Sequence, residues 1–317
     1  MSRPTLSRRV PAVTLLAVAS CLWAAGLVAP GGSAGPARSH AQTSPPQEVR
    51  LLSPGSGPRV ALRYAVGVGA RETATMALGM SMSIGVGGVP AQPVRMPVTR
   101  MQLEMGPIEA APQGRLRVPY VFMSVQITPG NGVAPELVTA MQTQMQPLIG
   151  LRGFQVIDPR GVGHGAGLTV PPNTAPELAQ RLEQLSSSMK NMTSPFPEEA
   201  VGVGAVWEVR SHIVSNQISL DQVATYRLRA MRGSDVEMDL ELSQTAPPQN
   251  LNIPQPGVTT HLDSMQTTGS GQVRLNLAHV TPNSSLHTHT EMHSTISAQG
   301  QQQPMRMEMD MDVTFSR

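Results

Sequence analysis

The chain has 317 residues, of which 40% are hydrophobic, 3% aromatic and 14% charged, with 23 Lys and Arg against 21 Asp and Glu. Four basic residues and no acidic residue lie in positions 1–41, so the remainder carries 19 basic against 21 acidic side chains. That balance leaves no basic surface for nucleic acid, which is therefore excluded from the expected partners.

The N-terminus has the pattern of an export signal. Three arginines precede an apolar stretch from Val10 to Val28, an order typical of secretory signal peptides. Two interpretations of its end stay open. In the first, residues 1–41 are removed as a signal peptide. In the second, Cys21 completes a lipobox and becomes the lipid-carrying first residue, which would anchor the protein to a membrane. Both predict an exported protein of the periplasm, the outer membrane surface or the extracellular space.

Composition changes after the apolar segment. Residues 42–58 are rich in Pro, Gly and Ser, which predicts a disordered linker before a single β-rich domain at 59–317. The chain contains 20 methionines and few aromatic residues, so its core is expected to consist of Met, Val, Leu and Ile. Methionine adapts its shape, which suits a surface that accommodates variable ligands as well as an ordinary core.

Alternating apolar residues predict most of the chain to be antiparallel strands. The first four are expected at 60–68, 76–86, 94–105 and 116–127. Amphipathic helices are expected at 135–148 and 175–192, and the glycines between 161 and 167 are expected to form a loop. Six further strands are expected at 207–218, 222–231, 236–242, 271–279, 286–296 and 305–315.

These elements predict a mainly β fold, a large curved antiparallel sheet resembling a half-barrel, with two helices inserted mid-chain. The hexapeptide Ala-Val-Gly-Val-Gly-Ala occurs at 65–70 and again at 200–205. It indicates either two related halves, 59–150 and 200–317, joined by a helical middle, or chance repetition of small residues.

Four short motifs stand out: Leu151-Arg-Gly-Phe154, Ile157-Asp-Pro-Arg-Gly161, Phe196-Pro-Glu-Glu-Ala-Val-Gly-Val-Gly204 before Trp207, and Gly269-Ser-Gly271. They resemble motifs of an uncharacterised bacterial envelope family with a domain of unknown function. The chain departs from that family at Ala205, where Asp is common. The strand–helix–strand order is also similar to the half-barrels of LolA- and LppX-like envelope proteins. That resemblance implies an apolar concavity, covered by helices, that binds acyl chains.

The leading functional hypothesis is a non-enzymatic envelope protein that binds a lipid or another apolar ligand or partner on the Met/Val/Leu face of its sheet. No nucleophile elbow, zinc-protease helix, phosphate loop or nucleotide fingerprint occurs, so neither catalysis nor a cofactor is expected. A purely structural envelope protein is a further alternative. The expected lining residues are methionines of the predicted strands and first helix: Met76, Met80, Met82, Met101, Met105, Met141 and Met145.

A second hypothesis concerns metal binding by one strand. His287, His289, Glu291 and His293 alternate, so all four side chains share a face of the predicted strand. Alternate residues lie about 6.6 Å apart, which lets two imidazoles reach one Zn or Cu ion. Because the other face carries the apolar residues, the same pattern also fits a solvated polar surface. The methionine stripe at 305–313 alternates in the same way and predicts a core face beside it.

Overall fold

The computed structural model describes residues 47–89, 93–130, 132–169, 193–215, 218–251, 258–298 and 301–317. The predicted signal segment, Cys21 and the predicted helix at 175–192 lie outside the described residues. Residues 42–317 belong to one compact unit. Its described part contains one α-helix, α1 (Pro135–Met145), where the sequence predicts the first helix.

Strands account for most of the described residues. They are β1 (Glu48–Ser53), β2 (Ser56–Val60), β3 (Glu72–Val86), β4 (Pro93–Arg95), β5 (Val98–Met105), β6 (Glu109–Ala111), β7 (Arg115–Thr128), β8 (Arg152–Ile157), β9 (Gly163–Thr169), β10 (Val201–Val203), β11 (Val206–Ser215), β12 (Ile218–Arg232), β13 (Asp235–Ala246), β14 (Gln249–Leu251), β15 (Val258–Asn276), β16 (Asn283–Ala298) and β17 (Gln301–Ser316).

Fifteen of these strands form one sheet, and the prediction of a mainly β fold with a large antiparallel sheet is confirmed. The path through the sheet is β1-β11-β12-β13-β15-β16-β17-β3-β5-β7-β8-β9, while β2 and β10 form a separate pair. Its two ends, β1 and β9, are not paired with each other in the described chain, so the sheet is open. The pairing of β17 with β3 joins the N-terminal and C-terminal groups of strands into one surface.

The predicted linker is wrong for its second part, since β1 and β2 lie within it. Val49 and Leu51 of β1 pair with Val209 and Trp207 of β11 and pack against the main core. The alternate residues of β1, Glu48, Arg50 and Leu52, are exposed. This alternation is short and lies among Pro, Gly and Ser, so composition alone predicts a linker here.

The predicted strand at 60–68 is corrected as well, because 61–68 forms no strand. Leu62, Tyr64 and Val66 are buried as alternation predicts, whereas Val60 and Val68 at the two ends are exposed. However, Tyr64 N donates to Pro159 O and Ala65 N donates to Leu277 O, each at 2.7 Å. The two backbone partners come from separate segments, so no continuous ladder can form.

The predicted glycine loop is replaced by an edge strand, β9. A Cβ on Gly167 would lie 2.8 Å from the ring of Phe154, and a Cβ on Gly153 would lie 2.5 Å from the ring of Tyr120. These glycines therefore leave room for two aromatic rings that lie across the sheet. Glycine carries no polar or apolar alternation, so the sequence pattern could not indicate the strand.

The main core contains a chain of four aromatic rings. Centroid distances are 5.3 Å from Tyr64 to Phe196, 6.3 Å from Phe196 to Trp207, and 5.7 Å from Trp207 to Tyr226. The indole Nε1 of Trp207 donates to Pro195 O at 2.9 Å. These contacts fix the segments before β3 and before β11 onto the sheet, because each segment contributes a ring.

Both copies of the hexapeptide make the same turn. Ala70 N donates to Gly67 O at 3.1 Å, and Ala205 N donates to Gly202 O at 3.0 Å. The glycine at the third turn position has a φ of 88° in the first copy and 84° in the second, a region that favours glycine. Each turn leads into a long strand of the sheet, which explains why the same small residues occur twice. That the halves 59–150 and 200–317 are duplicates stays a prediction.

Helix α1 closes a free edge of the sheet. β8 pairs with β7 only as far as Val121. Beyond that point, Gln142 of α1 donates through Nε2 to Val125 O and accepts at Oε1 from Ile127 N, both at 3.0 Å. One side-chain amide thus satisfies two backbone groups that have no strand beside them.

Candidate functional site

The face of the sheet that carries the core, termed the inner face, presents a dense group of methionines. Directly opposed residues of antiparallel strands project on the same side. Met309 of β17 pairs with Met82 of β3, and Met311 pairs with Met80. Met292 of β16 pairs with Met307. We call the group the methionine block; its members are Met80, Met82, Met292, Met305, Met307, Met309 and Met311.

The block is largely closed to solvent. Met305 and Met307 are 3% exposed, Met292 is 4%, and Met80 and Met82 are 9% and 8%. The two remaining members are half-buried. Three paired strands thus bury most of this group of thioethers.

The predicted lining methionines divide into two groups. Met80 and Met82 belong to the methionine block. The other five pack in or against the main core, either from β3 and β5 or from α1, and none of them lines either of the two cavities described below. They are Met76, Met101, Met105, Met141 and Met145. Their role as ligand-lining residues stays a prediction.

A line of polar side chains crosses the inner face, and no pattern within a single strand of the sequence indicates it. The strand registers oppose Ser211 to Gln222, Gln222 to Gln244, Gln244 to Thr267, and Thr267 to Thr290. We call these five residues the polar row. Gln244 Nε2 donates to Gln222 Oε1 at 2.7 Å, and the hydroxyls of Thr267 and Thr290 are 2.9 Å apart. The row continues into the methionine block, since Thr290 opposes Met309.

Several hydroxyls on this face are buried without a hydrogen-bond partner in the described chain. They include Ser211 Oγ in the polar row, and Thr288 Oγ1 and Ser294 Oγ within the methionine block, where they oppose Met311 and Met305. Thr288 and Ser294 are each 1% exposed. An unsatisfied buried hydroxyl costs about 1–3 kcal/mol.

The predicted histidine face lies on the opposite, outer side of β16. His287 Nδ1 is 2.9 Å from Asp312 Oδ1, and His289 Nδ1 is 2.8 Å from Asp310 Oδ1. The acidic face of β17 therefore lies beside the histidines, as the alternation predicts. In the described chain, no group of three or more His, Cys, Asp or Glu side chains is placed to hold a metal ion. Each of these two imidazoles contacts a carboxylate instead.

His289 has the most perturbed environment of the predicted metal ligands. Its pKa is raised above the usual 6.5, first because of the hydrogen bond with Asp310, while desolvation acts in the opposite direction. Glu291 raises the pKa further, with an oxygen 3.6 Å from Nε2. A raised pKa favours the protonated imidazole, which cannot bind a metal ion.

The methionine block lines neither of two cavities that lie beside the β12–β13 turn. The larger has a volume of about 490 Å³ and lies at the end of the sheet where β12 turns into β13. Arginines and polar side chains surround it. The smaller, about 240 Å³, lies beside it and is lined by charged residues of β12, β13 and β15. An apolar cavity of the kind implied by the acyl-chain resemblance is not among them.

Comparisons with known proteins identify no relative. No protein-family model and no curated protein matches the chain. Solved structures that align with it include two substituted variants of a porin from Rh. blastica, 9% identical, with TM-scores of 0.20 and 0.19. A third, described as "Asymmetric conductivity of engineered proteins", is 9% identical with a TM-score of 0.18. Each alignment covers 77% of this chain and 100% of the other. Scores this low carry no argument about function. Among the described residues, no helix has the length and apolarity needed to span a membrane.

Proposed function

We propose that this chain is a non-enzymatic, exported envelope protein that binds an apolar ligand or partner on its inner face, at the methionine block. The observation that supports the proposal most strongly is the grouping of seven methionines on the inner face of β16, β17 and β3. Export rests on the N-terminal pattern of three arginines and an apolar stretch.

Methionine suits such a surface because its side chain is unbranched and flexible. The members of the block are already largely buried, so a ligand must displace some thioethers from their present positions. Three rotatable bonds allow methionine to repack around a guest, whereas Val or Ile would hold one shape. The block therefore combines close packing with capacity for rearrangement.

The buried hydroxyls indicate what kind of ligand the surface fits. Thr288 and Ser294 lie among the methionines and have no partner in the described chain. An apolar molecule with one or two hydrogen-bonding groups, such as an ester or hydroxyl of a lipid, would satisfy them. The ligand class we propose is accordingly amphiphilic, with an apolar body.

Binding of a fluorescent fatty acid to the purified chain tests the proposal. Met82→Asp should abolish binding, because an unpaired charge would be buried in the block. Met82→Leu should preserve the fold, and Thr288→Val should weaken binding about 3–10-fold through one lost hydrogen bond.

Met123→Asp is the matched control, since Met123 of β7 is 48% exposed and lies outside the methionine block. This change should leave probe affinity unchanged. If the unaltered protein binds no acyl probe at micromolar concentration, the ligand-binding proposal is wrong. The alternative, a purely structural envelope protein that binds no ligand, would then fit the chain better.

A further inference from the structure

The larger cavity concentrates positive charge in one place. Arg232 at the end of β12, Arg274 on β15 and Arg317 after β17 all line it. The base of the cavity includes Val236 and Leu275, which are buried. We call this the arginine cleft. Its lining includes no member of the polar row or of the methionine block.

None of the three guanidinium groups has a carboxylate of the described residues within 4.0 Å, although Asp235 directly opposes Arg232 and Glu237 directly opposes Arg274. By contrast, Arg210 and Arg306 each pair with a glutamate at 2.8 and 2.7 Å. The cleft does contain two carboxylates, on Asp235 and Glu237. Asp235 already accepts a hydrogen bond from Asn276 Nδ2 at 2.7 Å, so its negative charge is partly engaged.

The walls of the cleft are held in place without a ligand. Asn276 donates from the same amide nitrogen to Ser234 Oγ at 3.0 Å and so ties β15 to the β12–β13 turn. His279, also in the lining, contacts the buried carboxylate of Glu72 at 3.3 Å. A ligand would therefore meet a site whose backbone needs little reorganisation.

We propose that the arginine cleft binds a phosphoryl group. A planar guanidinium presents paired N–H donors that match two oxygens of one phosphate, and several such groups together balance a dianion. The volume of about 490 Å³ also leaves room for the molecule that carries the phosphate. Two sources share this chemistry, a free phosphate monoester and the headgroup of an anionic phospholipid.

Substitutions of Arg274 and of Glu237 should change the affinity for phosphate in opposite directions. Glu237 and Arg274 are directly opposed in the pairing of β13 with β15, and both are exposed. A phosphate in the cleft is attracted by Arg274 and repelled by Glu237. Arg274→Gln should weaken binding about tenfold, by the loss of charge-assisted hydrogen bonds. Glu237→Gln should strengthen binding roughly threefold, by removal of a like charge near the ligand.

The experiment titrates the full chain with glycerol phosphate by calorimetry, and with vesicles of phosphatidylglycerol or phosphatidylcholine by cosedimentation. Arg210→Gln is the control, because Arg210 is exposed and paired outside the cleft. We expect saturable binding that weakens as salt rises from about 50 to about 500 mM, since the arginines are solvent-exposed. Binding of the monoester identifies a soluble ligand, and binding of phosphatidylglycerol vesicles alone identifies a lipid headgroup.

Two results would overturn the proposal. One is the absence of binding to the monoester and to both kinds of vesicle. The other is binding that Arg210→Gln weakens as much as Arg274→Gln, or that Glu237→Gln fails to strengthen, because the attraction would then be general to the surface. Neither result bears on the fatty-acid assay at the methionine block, so the two proposals fail separately.

Discussion

Substitution of Glu72, the first residue of β3, is the change for which the structure predicts the largest loss of stability. Its side chain is 3% exposed, although it ends in a carboxyl group. The carboxylate accepts from Val280 N and Thr281 N, each at 3.0 Å, and contacts His279 Nδ1 at 3.3 Å. It therefore holds the segment between β15 and β16 against the start of β3.

The contacts set the size of the effect. Glu72→Ala leaves two backbone amides without an acceptor, and both belong to residues that are 3–4% exposed. Each unsatisfied buried group costs about 1–3 kcal/mol. Removal of a buried charge offsets part of that cost. We expect a net loss of about 3 kcal/mol in the free energy of unfolding, and about half as much for Glu72→Gln, whose carbonyl can still accept.

Urea unfolding followed by the fluorescence of Trp207 measures this loss, because that indole is fully buried. Hydrogen exchange of the Val280 and Thr281 amides reports the local effect. The control is Glu104→Ala on the neighbouring strand β5. Glu104 pairs with Arg71 at 3.0 Å, but its side chain is 40% exposed. An exposed pair of this kind is worth less than about 1 kcal/mol.

If Glu72→Ala loses no more stability than Glu104→Ala, the assignment of Glu72 as the anchor is wrong. The same conclusion follows if the two amides exchange no faster in Glu72→Ala than in the unaltered protein. A loss in stability without faster exchange would indicate a general packing defect rather than the loss of these hydrogen bonds.

Three further predictions concern other parts of the chain. Gln142→Leu should lower stability by about 1–2 kcal/mol and speed exchange of the Ile127 amide, because two hydrogen bonds from α1 to β7 are lost; the exposed Thr143→Ala serves as the control. Radioactive fatty acid should label the exported protein only if Cys21 is lipidated, and label that persists in Cys21→Ala would contradict lipidation there. Replacing both His289 and His293 with Ala should change stability by less than about 0.5 kcal/mol, and we expect only weak zinc or copper uptake by the unaltered protein. A submicromolar affinity by calorimetry, lost in the double variant, would instead establish the metal site.

Long alternating strands could be predicted from the sequence because their pattern is strong. Met305 to Val313 alternates without a break, and β17 has its apolar side on the inner face and its charged side outward. The neighbouring histidines face outward for the same reason. Face assignment follows from a period of two alone and needs no knowledge of which strands are neighbours.

Which strands pair, and in which register, could not be predicted from the sequence. The polar row and the arginine cleft both depend on that pairing. The polar row depends on the registers of five strands, in which Gln222 meets Gln244 and Thr267 meets Thr290. Shifting one of these strands by a single residue would turn its member of the row to the other face of the sheet. The arginine cleft has the same origin, because Arg232 and Arg274 come from β12 and β15 and share a wall only once β13 lies between them.

The histidine face leads to a last prediction, about pH. His289 has a pKa raised above 6.5, mainly through its hydrogen bond with Asp310. A group with a raised folded-state pKa stabilises the fold fully below its unfolded pKa and loses that contribution as pH rises through the folded value. Stability from this pair should thus be complete below pH 6.5 and decline above it. The effect is small and falls with salt, because the imidazole is 42% exposed.

An NMR titration of the His289 ring from about pH 5 to 9 measures this pKa directly. Asp310→Asn removes the negative charge but keeps an acceptor of similar shape, so the pKa should fall back toward 6.5. Urea midpoints of the two proteins should then differ at acidic pH and converge as pH rises. In Glu291→Gln the pKa of His289 should still be raised, but by less, since Glu291 is the weaker of the two carboxylate contacts. A titration of His289 that is the same with Asp or Asn at position 310 would show that the cross-strand pair does not form in solution.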